Sequence, residues 1–324
     1  MYNFTFNIPT KIHFGKDTIS SLSELKAYGS KVLLVYGGGS IKKNGLYDTA
    51  MKILKDAGLT VFELSGVEPN PKIETVRKGV EICKNEGIDM VLAIGGGSTI
   101  DCSKVVAAGA KYDGDAWDLV LDGSKVKAAL PIFDVLTLSA TGTEMDPFAV
   151  ISDMSKNEKW GTGSPYMVPT MSILNPEYTF SVSKKQTAAG TADMMSHTME
   201  NYFSMENADC QKFMAEGLVR TMIKNGPVAL AQPDNYEARA NLMWAGTHAI
   251  NGVVGDGCSP AWCVHPMEHE LSAFYDITHG EGLAILTPAW MEHILNDNTL
   301  PMFLEVAKNV WGLSGDDDYA LAHA

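Results

Sequence analysis

The chain lacks the marks of a secreted, membrane-spanning or nucleic-acid-binding protein. Its five cysteines (Cys83, Cys102, Cys210, Cys258 and Cys263) form no C-x-x-C pair and no even framework. They read as buried thiols of a reducing compartment, not as disulfides. The opening residues, M-Y-N-F-T-F-N-I-P-T-K-I-H-F-G, contain neither the basic segment nor the apolar run of a signal peptide. No stretch of about eighteen apolar residues is present, so no membrane-spanning helix is expected, and a cytoplasmic location is. Positive charge is scarce: 25 basic against 39 acidic residues leave a net charge of −14. That field repels nucleic acid and anionic membranes, and the lysines are too dispersed to form a basic stripe, so neither is expected as a partner. Internal repeats and low-complexity tracts are also missing. What remains is 324 residues with 45% hydrophobic content, enough for a large core and two domains.

The apolar pattern divides near residue 180. Residues 4–14 alternate apolar and polar, which predicts two short strands broken at Pro9. A continuous apolar run over Val32–Tyr36 and further predicted strands over Thr60–Leu64, Met90–Ile94 and Ile132–Leu138 alternate with helix-period segments over Leu46–Ala57, Ile73–Glu86 and Thr99–Ala110. Strands apolar on both faces that alternate with helices imply a parallel sheet covered on both sides. Segments near Ala149–Ser152 and Thr170–Leu174 are expected to add a peripheral β-ribbon. After Asn175-Pro176 the pattern turns helical, over Lys184–Phe203, Asp209–Lys224, Tyr236–Val253, Pro260–Phe274 and Glu281–Leu295. The expected fold is therefore α/β: a Rossmann-like parallel-sheet domain over residues 1–180, then an all-α domain over 181–324. Pro266 falls inside the predicted helix that Ser259 caps and Pro260 begins, and is expected to kink it.

Two loops share one sequence. Gly37-Gly38-Gly39-Ser40 and Gly95-Gly96-Gly97-Ser98 each follow an apolar strand, and the second also opens a helix with Ser98 placed to cap it. Glycine lets the backbone turn and approach closely, and free amides at a helix N-terminus attract phosphate. Neither loop is the G-x-G-x-x-G dinucleotide fingerprint, and one such turn alone would say little. Two of them at the carboxyl ends of parallel strands lie where open α/β sheets bind ligands. The second reads as a pyrophosphate cradle. At the first, Gly38, Gly39 and Ser40 offer no carboxylate to a ribose 2′-hydroxyl, and Lys42 and Lys43 follow, which favours NADP(H) over NAD(H).

The helical half carries a possible ligand set. Asp193 and His197 are four residues apart and share a helix face. His265, His269 and His279 fall close together in a chain with only eight histidines. One carboxylate and three imidazoles suit a divalent transition metal with room left for a substrate oxygen. An Asp–His pair at this spacing is more often a solvated hydrogen bond, and H-x-x-E-H also matches the inverted zinc-protease signature. A protease has no use for two phosphate loops.

Together these motifs resemble the iron-containing (metal-dependent, type III) alcohol dehydrogenases, on their NADPH-dependent butanol dehydrogenase branch. The resemblance runs through P-T-K-I-H-F-G, Y-G-G-G-S-I-K-K-N-G, G-V-E-P-N-P, A-I-G-G-G-S-T-I-D-C-S-K, T-L-S-A-T-G-T-E-M-D and H-P-M-E-H-E-L-S-A-F-Y-D-I-T-H-G. It implies one divalent metal, Fe2+ or Zn2+, held by Asp193, His197, His265 and His279. His269 would line the site and relay a proton, or else orient the ligands by a hydrogen bond. It further implies NADP(H) contacts from Gly37 to Ser40, from Gly95 to Ser98, and from Asp101, Thr137, Leu138, Thr143 and Lys159. The reaction implied is reversible hydride transfer between NAD(P)H and an aldehyde or primary alcohol, with a short-chain substrate such as butanal or butanol, in a homodimer. Two other readings compete: a metal-dependent lyase of dehydroquinate-synthase-like architecture, and a truncated subunit that binds cofactor without turnover. The last dozen residues read as the start of a further helix with Asp316 to Asp318 at its N-terminus, where members of the family continue. The expectation is thus a C-terminally truncated chain with apolar surface left exposed on the helices ending at Leu295 and Trp311.

Overall fold

A computed structural model describes residues 1–324. Six strands form one parallel sheet: β1 (Lys11–Phe14), β2 (Lys31–Tyr36), β3 (Thr60–Leu64), β4 (Met90–Gly95), β5 (Ile132–Leu136) and β8 (Met171–Leu174), in the order β1-β8-β5-β4-β2-β3. Strands β6 (Phe148–Asp153) and β7 (Glu158–Gly163) pair antiparallel as a separate ribbon. Helices α1 (Ser40–Lys43), α2 (Leu46–Asp56), α3 (Ile73–Glu86), α4 (Gly97–Gly109) and α5 (Ala116–Leu121) belong to this half.

The continuous apolar runs explain the double coverage. Along β2, Leu33 and Val35 face one core with Val76, Val105 and Trp117, while Val32 and Leu34 face another with Leu22, Leu46 and Leu54. A strand buried on both faces cannot alternate with polar residues. One acidic residue does sit in the central strand β5. Asp134 accepts a hydrogen bond from the Ser172 hydroxyl at 2.6 Å, and burial pushes its pKa well above the usual carboxylate range.

The second half is helical: α6 (Lys184–Tyr202), α7 (Asp209–Ala231), α8 (Tyr236–Ile250), α9 (Val264–Tyr275), α10 (His279–Ile294), α11 (Leu300–Asn309) and α12 (Asp318–His323). Helix α6 runs through its middle, packed by α7, α8 and α10. Phe203, Trp290 and Phe303 form an aromatic core there, with Phe203 and Phe303 rings 4.5 Å apart. None of the helices is long and apolar enough to cross a membrane.

Several expectations are corrected. Residues 4–8 form no strand; the alternation is real, but only Lys11–Phe14 finds a neighbour, β8. Thr170–Leu174 belongs to the main sheet between β1 and β5, and the ribbon partner of β6 is β7, whose polar and glycine-bearing E-K-W-G-T-G has no apolar run. Helix α7 continues to Ala231 through Pro227. Helix α9 begins at Val264, not Pro260, with Cys263 at its cap. Pro266 therefore lies in the first turn, where the missing N–H has no partner to lose, and a kink is not required. Ser259 instead donates to Glu206. Of the cysteines only Cys83 and Cys102 are buried, while Cys210 and Cys263 are exposed.

Candidate metal centre and cofactor cleft

Three helices converge on one point. Asp193, His197 and Glu200 lie on one face of α6, at spacings of four and three residues. His265 and Glu268 lie on α9, and His279 is the first residue of α10. Asp193 Oδ1 is 3.6 Å from His197 Nε2, 3.7 Å from His265 Nε2 and 3.7 Å from His279 Nε2. The His197 and His265 rings stack at 4.4 Å.

These separations are too long for hydrogen bonds, and Asp193 Oδ1 and His265 Nε2 are buried without any partner. Such orphaned atoms are costly, and one cation among them would relieve the cost. Burial raises the Asp193 pKa, but His197, His279 and His265 outweigh it and hold the carboxyl well below its usual range. Burial pushes His197 down to about 3. An ionised carboxylate and a neutral imidazole are the forms that donate lone pairs to a metal. His265 differs: burial opposes its charge, yet Asp193 and Glu200 raise its pKa to about 9. The donor set and its orphaned atoms fit a divalent metal.

Two carboxylates that sequence reasoning missed orient the rings. Glu200 bonds His265 Nδ1 and accepts from the Val264 amide at 2.7 Å. Glu268 bonds His279 Nδ1, accepts from Ser272, and pairs with Lys159 Nζ at 3.1 Å. Carboxylates on the outer nitrogen fix an imidazole's tautomer and aim its inner nitrogen. The i+7 spacing of Glu200 from Asp193 was the available signal, though a glutamate on a helix is ordinarily solvated. His197 Nδ1 has no such partner.

The site opens into a cleft of about 590 Å³ between the two halves. Among the expected residues, Ser98, Asp101, Thr143, Lys159, His197, His265, His269 and His279 line it. Ser98 is inside α4, whose cap is Gly96, so it faces the cleft and is not the cap. Asp101 accepts from the Thr143 hydroxyl at 2.7 Å and the Val150 amide at 2.9 Å, and burial pushes its pKa up to about 6. Lys104, also missed, is fully buried behind them. Its Nζ donates to Thr143 Oγ1, Asp146 Oδ1 and the Asp146 and Phe148 carbonyls at 2.7–2.9 Å. Removing one partner of a buried pair costs about 3–5 kcal/mol, so this lysine pins the 143–148 segment to α4.

The remaining cofactor candidates lie off the cleft wall. Thr137 donates its amide to Gly95 O at 2.9 Å, and Leu138 packs over Gly96. Both therefore cover the second glycine loop. Gly37 to Ser40 sit at the end of the neighbouring strand β2, braced where Gly66 N donates to Gly37 O at 3.2 Å. His269 lies beside His279, ring centroids 5.8 Å apart. Burial, with Lys159 adding to it, lowers its pKa to about 2, so the ring is neutral.

A parallel-sheet half and a helical half that gathers one carboxylate and three imidazoles form the arrangement expected of a metal-dependent oxidoreductase. Residues 9–176 match the family described as Iron-containing alcohol dehydrogenase, and residues 187–320 match the Fe-containing alcohol dehydrogenase family, C-terminal. The chain belongs to the iron-containing alcohol dehydrogenase family. It is 60% identical over 325 residues to NADH-dependent butanol dehydrogenase A of Clostridium acetobutylicum, covering 99% of this chain and 84% of that one. It is 40% identical over 324 residues to the NADPH-dependent aldehyde reductase YqhD of Escherichia coli, covering 98% and 83%. The crystal structure of NADH-dependent butanol dehydrogenase A from Thermotoga maritima superposes with a TM-score of 0.97 at 46% identity, covering 100% of this chain and 81% of that one. Dehydrogenase and reductase relatives do not favour the lyase reading.

Proposed function

We propose that this protein reduces short-chain aldehydes and oxidises the corresponding primary alcohols by hydride transfer with NADP(H). Residues 1–180 would hold the dinucleotide, and Asp193, His197, His265 and His279 of residues 181–324 a divalent iron or zinc. The observation that carries the reading is the placement of Asp193 Oδ1 within 3.7 Å of three imidazole Nε2 atoms, at a cleft that also reaches Ser98 and Asp101 beside the second glycine loop.

When bound, the metal supplies a Lewis acid that polarises a carbonyl oxygen. The chain's own residues do the rest. The second glycine loop and the first turn of α4 hold the pyrophosphate, and Asp101 and Lys159 flank the cleft between that loop and the ligand histidines. Glu200 and Glu268 keep His265 and His279 aimed inward. Because the His269 ring is neutral, it passes a proton only by taking one at one nitrogen while releasing one at the other.

The choice of NADP(H) rests on the first loop, since the relatives' names divide between NADH and NADPH. Glu63, the carboxylate of the adjoining strand β3, already accepts from the Tyr36 hydroxyl at 2.6 Å and the Tyr47 hydroxyl at 2.8 Å. Lys42 Nζ lies over both rings, 4.9 and 4.4 Å from their centroids. A 2′-phosphate there would meet the Lys42 cation, which Glu63 also faces at 3.9 Å.

The test is NADPH absorbance with butanal and added Fe2+ or Zn2+, together with bound-metal analysis. Steady oxidation is expected in the unmodified protein. Asp193→Ala and His279→Ala should lose turnover and metal together, since removing one of four ligands costs several kcal/mol of affinity, about the order seen for structural zinc sites. Full activity with stoichiometric metal in either variant would overturn the ligand assignment.

A further inference from the structure

Trp262 holds a backbone conformation that large side chains rarely adopt. Its φ is +44°, in the left-handed region that a bulky L-residue enters only when its surroundings force it. Those surroundings are the irregular connection from α8 to α9, which is clamped along its length. Gln211 Nε2 donates to Asp256 O at 2.9 Å, and the Tyr2 amide donates to Gly257 O at 2.8 Å. The Ser259 amide and hydroxyl donate to Glu206 at 3.0 and 2.5 Å, and the Val264 amide to Glu200 at 2.7 Å. The indole is therefore carried on a fixed segment.

Its position is specific. The Trp262 ring stands edge-on to two of the imidazoles, 5.3 Å from His265 and 6.1 Å from His197. It lines the cleft and is half-buried, as is Pro260 beside it in the same segment. Strain kept at a site wall, on a residue that bonds nothing, points to a steric role.

We propose that Trp262 sets the size limit of the carbonyl substrate, the indole forming a rigid apolar wall at the histidine end of the cleft. The inference rests on the aldehyde-reductase reading above. A carbonyl reacting beside these imidazoles carries its first substituents closest to the indole. Branching next to the carbonyl carbon, or an aryl group there, meets the wall, whereas an unbranched chain extends along the open cleft. The substrate class is unbranched aliphatic aldehydes.

The experiment compares kcat/KM for butanal, 2-methylpropanal and benzaldehyde in the metal-loaded wild type and in Trp262→Ala, Trp262→Phe and Trp262→Gly. Bound metal, the KM for NADPH, and calorimetric affinity for the unreactive amides butanamide and 2-methylpropanamide are measured alongside. In Trp262→Ala the branched-to-straight ratio should rise about 10-fold or more, the usual scale for one or two methyl groups in an apolar pocket, and by less in Trp262→Phe. Amide affinities should shift in the same direction, with metal content and NADPH KM unchanged. Trp262→Gly removes the wall and the backbone strain together, so it reports even if the alanine variant folds poorly. An unchanged ratio, or a uniform loss for all aldehydes accompanied by metal loss, would overturn the proposal and leave Trp262 as packing for the ligand rings. A wild type that reduces no aldehyde would overturn the functional reading itself.

Discussion

Gly37-Gly38-Gly39-Ser40 and Gly95-Gly96-Gly97-Ser98 are the same four residues at the ends of neighbouring strands, β2 and β4, yet they are glycine-rich for different reasons. In the second loop space is the constraint. A Cβ on Gly95 would stand 2.3 Å from Thr99 Oγ1, and one on Gly97 2.6 Å from Thr141 Oγ1. In the first loop only Gly37 is crowded, its Cβ position 3.2 Å from Val67 O, while a Cβ on Gly38 or Gly39 would meet nothing within 4 Å. Gly39 is needed for its φ of +98°, and Gly38 for neither reason. The second loop opens the thirteen-residue, deeply buried α4, and the first opens only the four-residue α1. One is packed against its neighbours, and the other is open, with its surroundings set by the side chains around it.

The largest expected effect comes from filling the packed loop. Gly97→Ala forces Thr141 to move, an overpacking cost of about 1–3 kcal/mol, and displaces the wall of the cofactor cleft. Thermal melting and cofactor titration should show a lower Tm and a KM for NADPH raised by about an order of magnitude or more, following the conversion of 1.4 kcal/mol to tenfold. A variant with unchanged Tm and KM would erase the distinction between the loops.

A smaller effect, on selectivity and not on folding, is expected from Gly39→Asp. Aspartate is among the residues that best tolerate positive φ, and here it would repel a 2′-phosphate while accepting from a free 2′-hydroxyl. The ratio of kcat/KM for NADPH over NADH should invert. Equal values for the two cofactors in the unmodified protein would show that the neutral first loop does not select.

The smallest effect is the sharpest control. Gly38→Ala adds a methyl group to open space at a φ outside the left-handed region, so Tm should stay within about a degree, as for surface substitutions of ±0.5 kcal/mol. A clear drop in Tm would mean that the first loop is as tightly constrained as the second.

The central strands were legible because burial on both faces writes a continuous apolar run: β2 and β4 are such runs, and β5 is one apart from Asp134. Strand β7 was not, since E-K-W-G-T-G carries no apolar periodicity and owes its pairing to β6 and its burial to α9 and α5. The start of α9 was misplaced because Ser259-Pro260 has the composition of a helix start, while Ser259 is committed to Glu206, fifty-three residues away. The candidate ligands Asp193, His197, His265 and His279 stood out through the scarcity of histidine. Glu200, Glu268, Lys104 and Trp262 did not, because an acidic, basic or aromatic residue on a helix or loop is ordinarily solvated or packed, and nothing local marks the exception.

By itself, then, the sequence determined the alternation of strand and helix and the two glycine loops, and it marked the candidate metal ligands, because these depend on local periodicity and residue chemistry. Only the tertiary structure decided that α6, α9 and α10 bring Asp193 within 3.7 Å of three imidazoles, and that Glu200 and Glu268 aim two of them. It also decided that one glycine loop is packed and its twin is open. Each of these is a matter of what lies across a gap from distant parts of the chain, and no local pattern encodes a distance between helices.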